Sequence, residues 1–177
     1  MEQTTVSIPQ QATKLAEETI TWSRDHMQLL MTSYLAQALP SLDFITSVRC
    51  IVTRGHEILV IRDPENTHIH PGGRRETGET LLQTLQREIL EETGWTLQDI
   101  SLLGFKHFHH LTPKPAHYPY PYPDFFQALY YAQAGIFIQE AKDKHGYELS
   151  ATFHSITTVK TLPLTQGEKK YLTYIGA

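Results

Sequence analysis

The stretch GRRETGETLLQTLQREILEETGW, residues 73–95, decides how this chain is read. A Gly-rich turn, Pro71-Gly72-Gly73, leads into a segment of helical periodicity that ends in three carboxylates, Glu88, Glu91 and Glu92. At about 100° per residue, Glu88 and Glu92 lie roughly 40° apart on a helix, with Glu91 on their other flank. Leu82, Leu85 and Ile89 fall on an adjacent arc and are expected to face the core. Like charges at this spacing repel, and carboxylates at a helix C-terminus also oppose the helix dipole. Gly94 is a natural helix stop just beyond them. A hard divalent cation would offset the repulsion, because carboxylate oxygens are its preferred ligands. Arg87 could orient a neighbouring carboxylate as a fork. A solvated acidic helix end is the plainer alternative.

The same stretch resembles the Nudix box. Gly73, Glu79, Arg87-Glu88-Ile89, Glu91-Glu92, Gly94 and Trp95 match that signature with every spacing intact. A looser resemblance to the Nudix (MutT-like) hydrolase family extends over about residues 44–177. Leu85, where the family often has Ala, and Arg75, where an aliphatic is common, are the departures. The resemblance implies an α/β fold, an α/β/α sandwich with a mixed β-sheet. It also implies hydrolysis of a diphosphate bond in a nucleoside diphosphate linked to another moiety: a nucleoside triphosphate, ADP-ribose or a nucleotide sugar. Mg²⁺ (or Mn²⁺) is the implied cofactor. Glu88 and Glu92 would be the principal ligands, with the Gly73 carbonyl completing the shell. Glu91 would be a further ligand or the base, and Arg87 and Glu79 would orient the cluster. An acidic residue before a late strand often reaches the metals in this family; Glu148 matches loosely and Glu140 is the rival. The competing function class is a catalytically silent nucleotide-binding or sensor module, disfavoured because every box glutamate is present.

Outward from the box, 177 residues suffice for one core. With 40% hydrophobic and 19% charged residues the composition is globular. A net charge of -4 gives no footprint for broad nucleic-acid binding. The lone Cys50 excludes an intrachain disulfide and reads as a buried strand residue. Neither a signal peptide nor a membrane-length apolar run is found, so a cytoplasmic location is expected.

Residues 1–43 read as an N-terminal helical extension, because Ile20, Met27, Leu30, Met31, Tyr34, Leu35 and Leu39 recur at threes and fours. Ser23 and Asp25 suggest a break with a fresh N-cap. The extension is expected to pack on the core, with a homodimer contact or a wall of the substrate pocket as its alternatives. Ile45 to Asp63 reads as a hairpin and Ile100 to His109 as a strand. Phe125 to Ile138 and Ala151 to His154 are further strands, and Thr165 to Glu168 is a capping box opening a last helix.

His70 precedes the Gly-rich turn and is a candidate substrate contact, or simply fills the turn. Residues 110–124 carry five prolines alternating with Tyr118, Tyr120 and Tyr122. Such a stiff, extended loop is uncommon in a compact domain unless it binds something. Its tyrosines are candidates for stacking on a base. A rigid surface connection or a subunit contact is the alternative.

Overall fold

The computed structural model describes residues 6–22, 26–143 and 146–176. Its framework is one mixed sheet. The strands are β1 (Thr13–Trp22), β2 (Met27–Leu35), β3 (Ile45–Arg54), β4 (Glu57–Arg62), β5 (Thr67–His68), β6 (Trp95–His110), β7 (Asp124–Phe137) and β8 (Ser150–Ser155). The sheet order is β1-β2-β6-β7-β3-β4-β5, with β8 also paired to β4. Only β3 and β7 run parallel among the ladders of described residues. The helices are α1 (Leu81–Thr93), α2 (Ile156–Val159) and α3 (Gln166–Leu172). None is long and apolar enough to cross a membrane.

Alternation along β3 splits the core in two. Val48, Cys50 and Val52 join Leu85 and Ile89 of α1 in one cluster, while Ile51 joins Val159, Tyr171 and Leu172 of α2 and α3 in the other. Helices therefore cover both faces of the sheet, as the sandwich reading expects. Burial raises the Cys50 thiol far above its ordinary value, as suits a buried apolar residue. Leu82 departs from expectation: it is exposed, and Leu81 packs against the core in its place.

Among the described residues the N-terminal helix is not formed. Thr13–Trp22 and Met27–Leu35 make two antiparallel strands, β1 and β2, and β2 pairs with β6 from Leu29↔His110 to Leu35↔Gly104. The segment carried two periodicities at once. Met27, Leu29 and Met31 alternate and are buried, whereas Met27, Leu30 and Tyr34 made the helical stripe. What decides between them is the free edge of β6, whose unpaired backbone groups need a partner that a helix cannot supply. The Ser23/Asp25 cap lies outside the described residues.

α3 closes the second face through the Thr165–Glu168 capping box read from the sequence. Beneath it sits His70, buried, not at a pocket mouth. Lys106 Nζ donates to His70 Nδ1 at 3.1 Å, and Glu168 Oε1 lies 3.2 Å from the same nitrogen. Burial holds the His70 pKa well below 6.5, reinforced by Lys106. His68 and His110 are lowered by burial too. In the folded chain these imidazoles take up a proton only at lower pH than the value near 6.5 at which they do so once unfolded. The unfolded state then binds more protons, so stability falls as pH drops below that value. In Glu92→Gln, where the opposing titration of that buried carboxyl is absent, urea unfolding at pH 7.5 and 5.5 should show a loss of up to about 1.4 kcal/mol per pH unit below 6.5 from His70. Equal stability at both values would contradict it.

Candidate active site

The site is built where the Gly-rich turn crosses β3. Val48 N–H donates to the Gly73 carbonyl and Cys50 N–H to that of Pro71, both at 3.0 Å, so residues 71–74 run as an extra rung beside β3. A side chain on Gly72, at φ +132, would strike the Val48 carbonyl; one on Gly73 would strike the Glu88 carboxylate. The two glycines thus let the turn fit between strand and helix. The Gly73 carbonyl spends one lone pair on Val48 and keeps the other.

α1 presents the carboxylates. Thr80 caps it with a capping box to Gln83, a signal present in the sequence but not read there, and Gly94 ends it in the left-handed conformation at φ +78. Glu92 follows Leu85 by seven residues, within about 20° of two full turns, so it projects along the apolar face. Burial raises its pKa to about 8, opposed by a 2.8 Å hydrogen bond from Gly72 N–H and by Arg49. Glu88 is also raised by burial, with Arg87 opposing. Glu91, further round the helix, is half exposed.

Arg87 gathers the cluster. Its Nε and Nη2 donate to Glu79 at 2.6 and 2.9 Å, and its Nη1 to Glu88 at 2.9 Å and Glu91 at 3.3 Å. Glu79 accepts from Thr84 as well, and these bonds, led by those from Arg87, hold its pKa at about 2. Arg87 itself is raised above its ordinary range by Glu79. Glu148, not Glu140, is among the charges felt most by Glu92.

Arg49 is the neighbour the sequence reading passed over. It donates through Nη1 to the Gly72 carbonyl, and its charge acts on both Glu92 and Glu88. The signal was there: a cation between Val48 and Cys50, inside the otherwise apolar run of residues 48–52. Arg49 also borders a cavity of about 550 Å³, walled by Tyr118 and Tyr120 of the Pro/Tyr loop and by Trp22 and Met27 of the N-terminal hairpin. Tyr122 is not in that wall; its hydroxyl donates to the Thr112 carbonyl. His70 does not border the cavity either. His107 and His109 converge on Asp124, at 2.7 and 2.8 Å.

The residues fit a divalent cation by their donor chemistry: all-oxygen ligands, one of them a buried carboxyl kept protonated by burial near neutral pH. Among the described residues no three such side chains already converge on one point. Arg87 and the Gly72 N–H hold Glu88 and Glu92 in their present positions.

A family model described as the NUDIX domain matches residues 43–174. A Nudix hydrolase from Nitrosomonas europaea aligns with TM-score 0.55 and 21% identity, over 75% of this chain and 88% of that one. A Bacillus subtilis pyrophosphohydrolase gives TM-score 0.55 and 16% identity, over 77% of each chain. The NUDIX domain of Shewanella oneidensis NrtR, crystallised with ADP ribose, gives 0.54 and 14%, over 75% and 86%. These likenesses are of fold. No curated protein matches the sequence significantly. With a family match spanning most of the chain and the complete box on α1 and its preceding turn, the chain belongs to the Nudix family of hydrolases, which cleave nucleoside diphosphates linked to another moiety.

Proposed function

We propose that this chain is a Mg²⁺- or Mn²⁺-dependent pyrophosphohydrolase acting on a nucleoside triphosphate, ADP-ribose or a nucleotide sugar. The observation that carries the reading is Glu92. An acidic group on the apolar face of α1, with Glu88 beside it, is uphill for the metal-free protein once ionised and is relieved by a cation. Glu88, Glu92 and the free lone pair of the Gly73 carbonyl would hold the ion, with Glu148, and Glu91 where it is not the base, as further ligands. When bound, the ion supplies charge neutralisation for the diphosphate and activation of a water.

The chain's own groups then have distinct tasks. Glu91, half exposed and 3.3 Å from Arg87, is the most open of the three helix carboxylates and suits the base that takes the proton from water. Water's oxygen bonds to one phosphorus as the bond to the bridging oxygen breaks. Arg87, anchored on Glu79, draws Glu88 and Glu91 to one nitrogen and orients both. Arg49 and Arg74, at the cavity edge, can meet phosphate oxygens.

Glu91→Gln and Glu88→Gln should each lower turnover by roughly 10²–10⁴, the range for losing a general base. The variant that keeps substrate affinity identifies the base, and unchanged kcat in both would move that role to Glu148. The reading as a whole is tested by product release from the three substrate classes with Mg²⁺ or Mn²⁺ and with excess chelator. Turnover of at least one class, abolished by chelation, is expected; undiminished turnover in chelator refutes it. ADP-ribose belongs on the panel because the NrtR domain was crystallised with it.

A further inference from the structure

We propose that Trp22 and Ser47 are the residues that set this chain's affinity for a nucleobase, from the walls of the cavity between the N-terminal strands and the Pro/Tyr loop. Its ligand class rests on the diphosphate-hydrolase reading above. The two residues come from different places: Trp22 ends β1, outside the matched residues 43–174, and Ser47 lies on β3.

The first observation is Ser47. It is 3% exposed, it borders the cavity, and its Oγ has no hydrogen-bond partner among the described residues. A buried hydroxyl left unpaired is unfavourable, and a polar edge of a ligand would satisfy it. The second is the set of rings. Trp22 is seated on Phe108 and Phe125, at centroid distances of 5.6 and 5.8 Å. Across the loop, Arg74 lies 4.7 Å from the Tyr120 ring centroid, and Tyr120 packs edge-on to Tyr118 at 5.3 Å. The Tyr118 hydroxyl is in turn 3.1 Å from His110 Nε2. Each ring is held by its neighbours before any ligand arrives, which lowers the ordering cost of binding.

Planar faces and a hydrogen-bonding edge are what a purine or pyrimidine offers and a sugar phosphate lacks. The volume of about 550 Å³ is of the size that small-molecule sites use. Arg49 is shared between this cavity and the carboxylates, through the Gly72 carbonyl. A base in the cavity would therefore place its 5′-phosphates toward Glu88 and Glu92.

The test uses the full chain in chelator, by titration calorimetry with AMP, GMP, CMP, UMP and ribose 5-phosphate. The phosphate is common to all five, so differences report the base. At least one nucleotide should bind tenfold or more tightly than ribose 5-phosphate. Trp22→Ala should remove at least about tenfold of that affinity, the scale of losing one stacked base. Ser47→Ala should weaken binding about five- to tenfold. Its thermal midpoint should be unchanged or higher, because the hydroxyl it removes has no partner to lose. If Trp22→Ala fails to fold, Trp22→Leu keeps an apolar contact with Phe108 and Phe125 and should show the same loss. Ribose 5-phosphate binding as tightly as every nucleotide, or unchanged affinity in the Trp22 or the Ser47 variant, overturns the proposal. Because no hydrolysis is read, this failure is separate from failure of the chelator experiment on activity.

Discussion

Glu92→Gln is expected to lower turnover by at least about 10²-fold while leaving the fold intact. Losing a group that merely supports a metal ligand already costs about 10–100-fold, and Glu92 is assigned as a ligand itself. The amide keeps the shape, and its oxygen can still accept the Gly72 N–H that the carboxylate now holds at 2.8 Å. What disappears is a carboxyl that burial holds protonated up to about pH 8. In the unfolded chain the same group ionises near 4.5. Between those values the folded state binds the extra proton, so this group's contribution to metal-free stability falls as pH rises through the window. Glu92→Gln should therefore match or exceed the metal-free native protein in thermal midpoint at pH 8, yet gain less from added Mn²⁺. Differential scanning calorimetry with and without Mn²⁺, beside steady-state kinetics, checks both halves. A variant with native kcat and a native Mn²⁺-induced rise in midpoint would show that the carboxylates are structural.

Gly72→Ala should destabilise by about 3 kcal/mol, which for a chain of this size lowers the midpoint by about 6–12 °C. Two costs combine. The backbone at φ +132 is one that L side chains rarely adopt, and the new methyl would lie against the Val48 carbonyl and 3.1 Å from Arg49 Cα. Both obstacles are backbone, so neither can swing aside. The turn would have to lift from β3, breaking the Val48–Gly73 and Cys50–Pro71 bonds and moving the Gly72 N–H from Glu92. Activity should fall with stability, since the same turn positions the Gly73 carbonyl. A native midpoint in Gly72→Ala would show that the turn has room the geometry denies.

The box itself was legible before any coordinates because its information is local. A helical apolar stripe, a Gly stop and carboxylates at i, i+3 and i+4 are set by residues within a few turns of one another, and α1 forms over Leu81–Thr93 as that pattern requires. The same holds for α3, whose capping box lies within four residues. Strands β3, β4, β7 and β8 also announced themselves by alternation and β-branched content. Sequence alone thus determined the family and the chemistry-bearing helix. It did not determine the partners of residues far apart in the chain. Residues 27–35 satisfied a helical and a strand period equally, and only the open edge of β6 made them a strand. His70 stood next to the Gly-rich turn in sequence, but the alternation of that segment turned it toward Lys106 and Glu168 beneath α3. Trp22, Ser47 and Arg49 belong to one cavity with Tyr118 and Tyr120 because sheet pairing brings β1, β3 and the Pro/Tyr loop together. Local periodicity specifies which face a residue presents along its own element; which element meets that face is settled by long-range backbone pairing and burial.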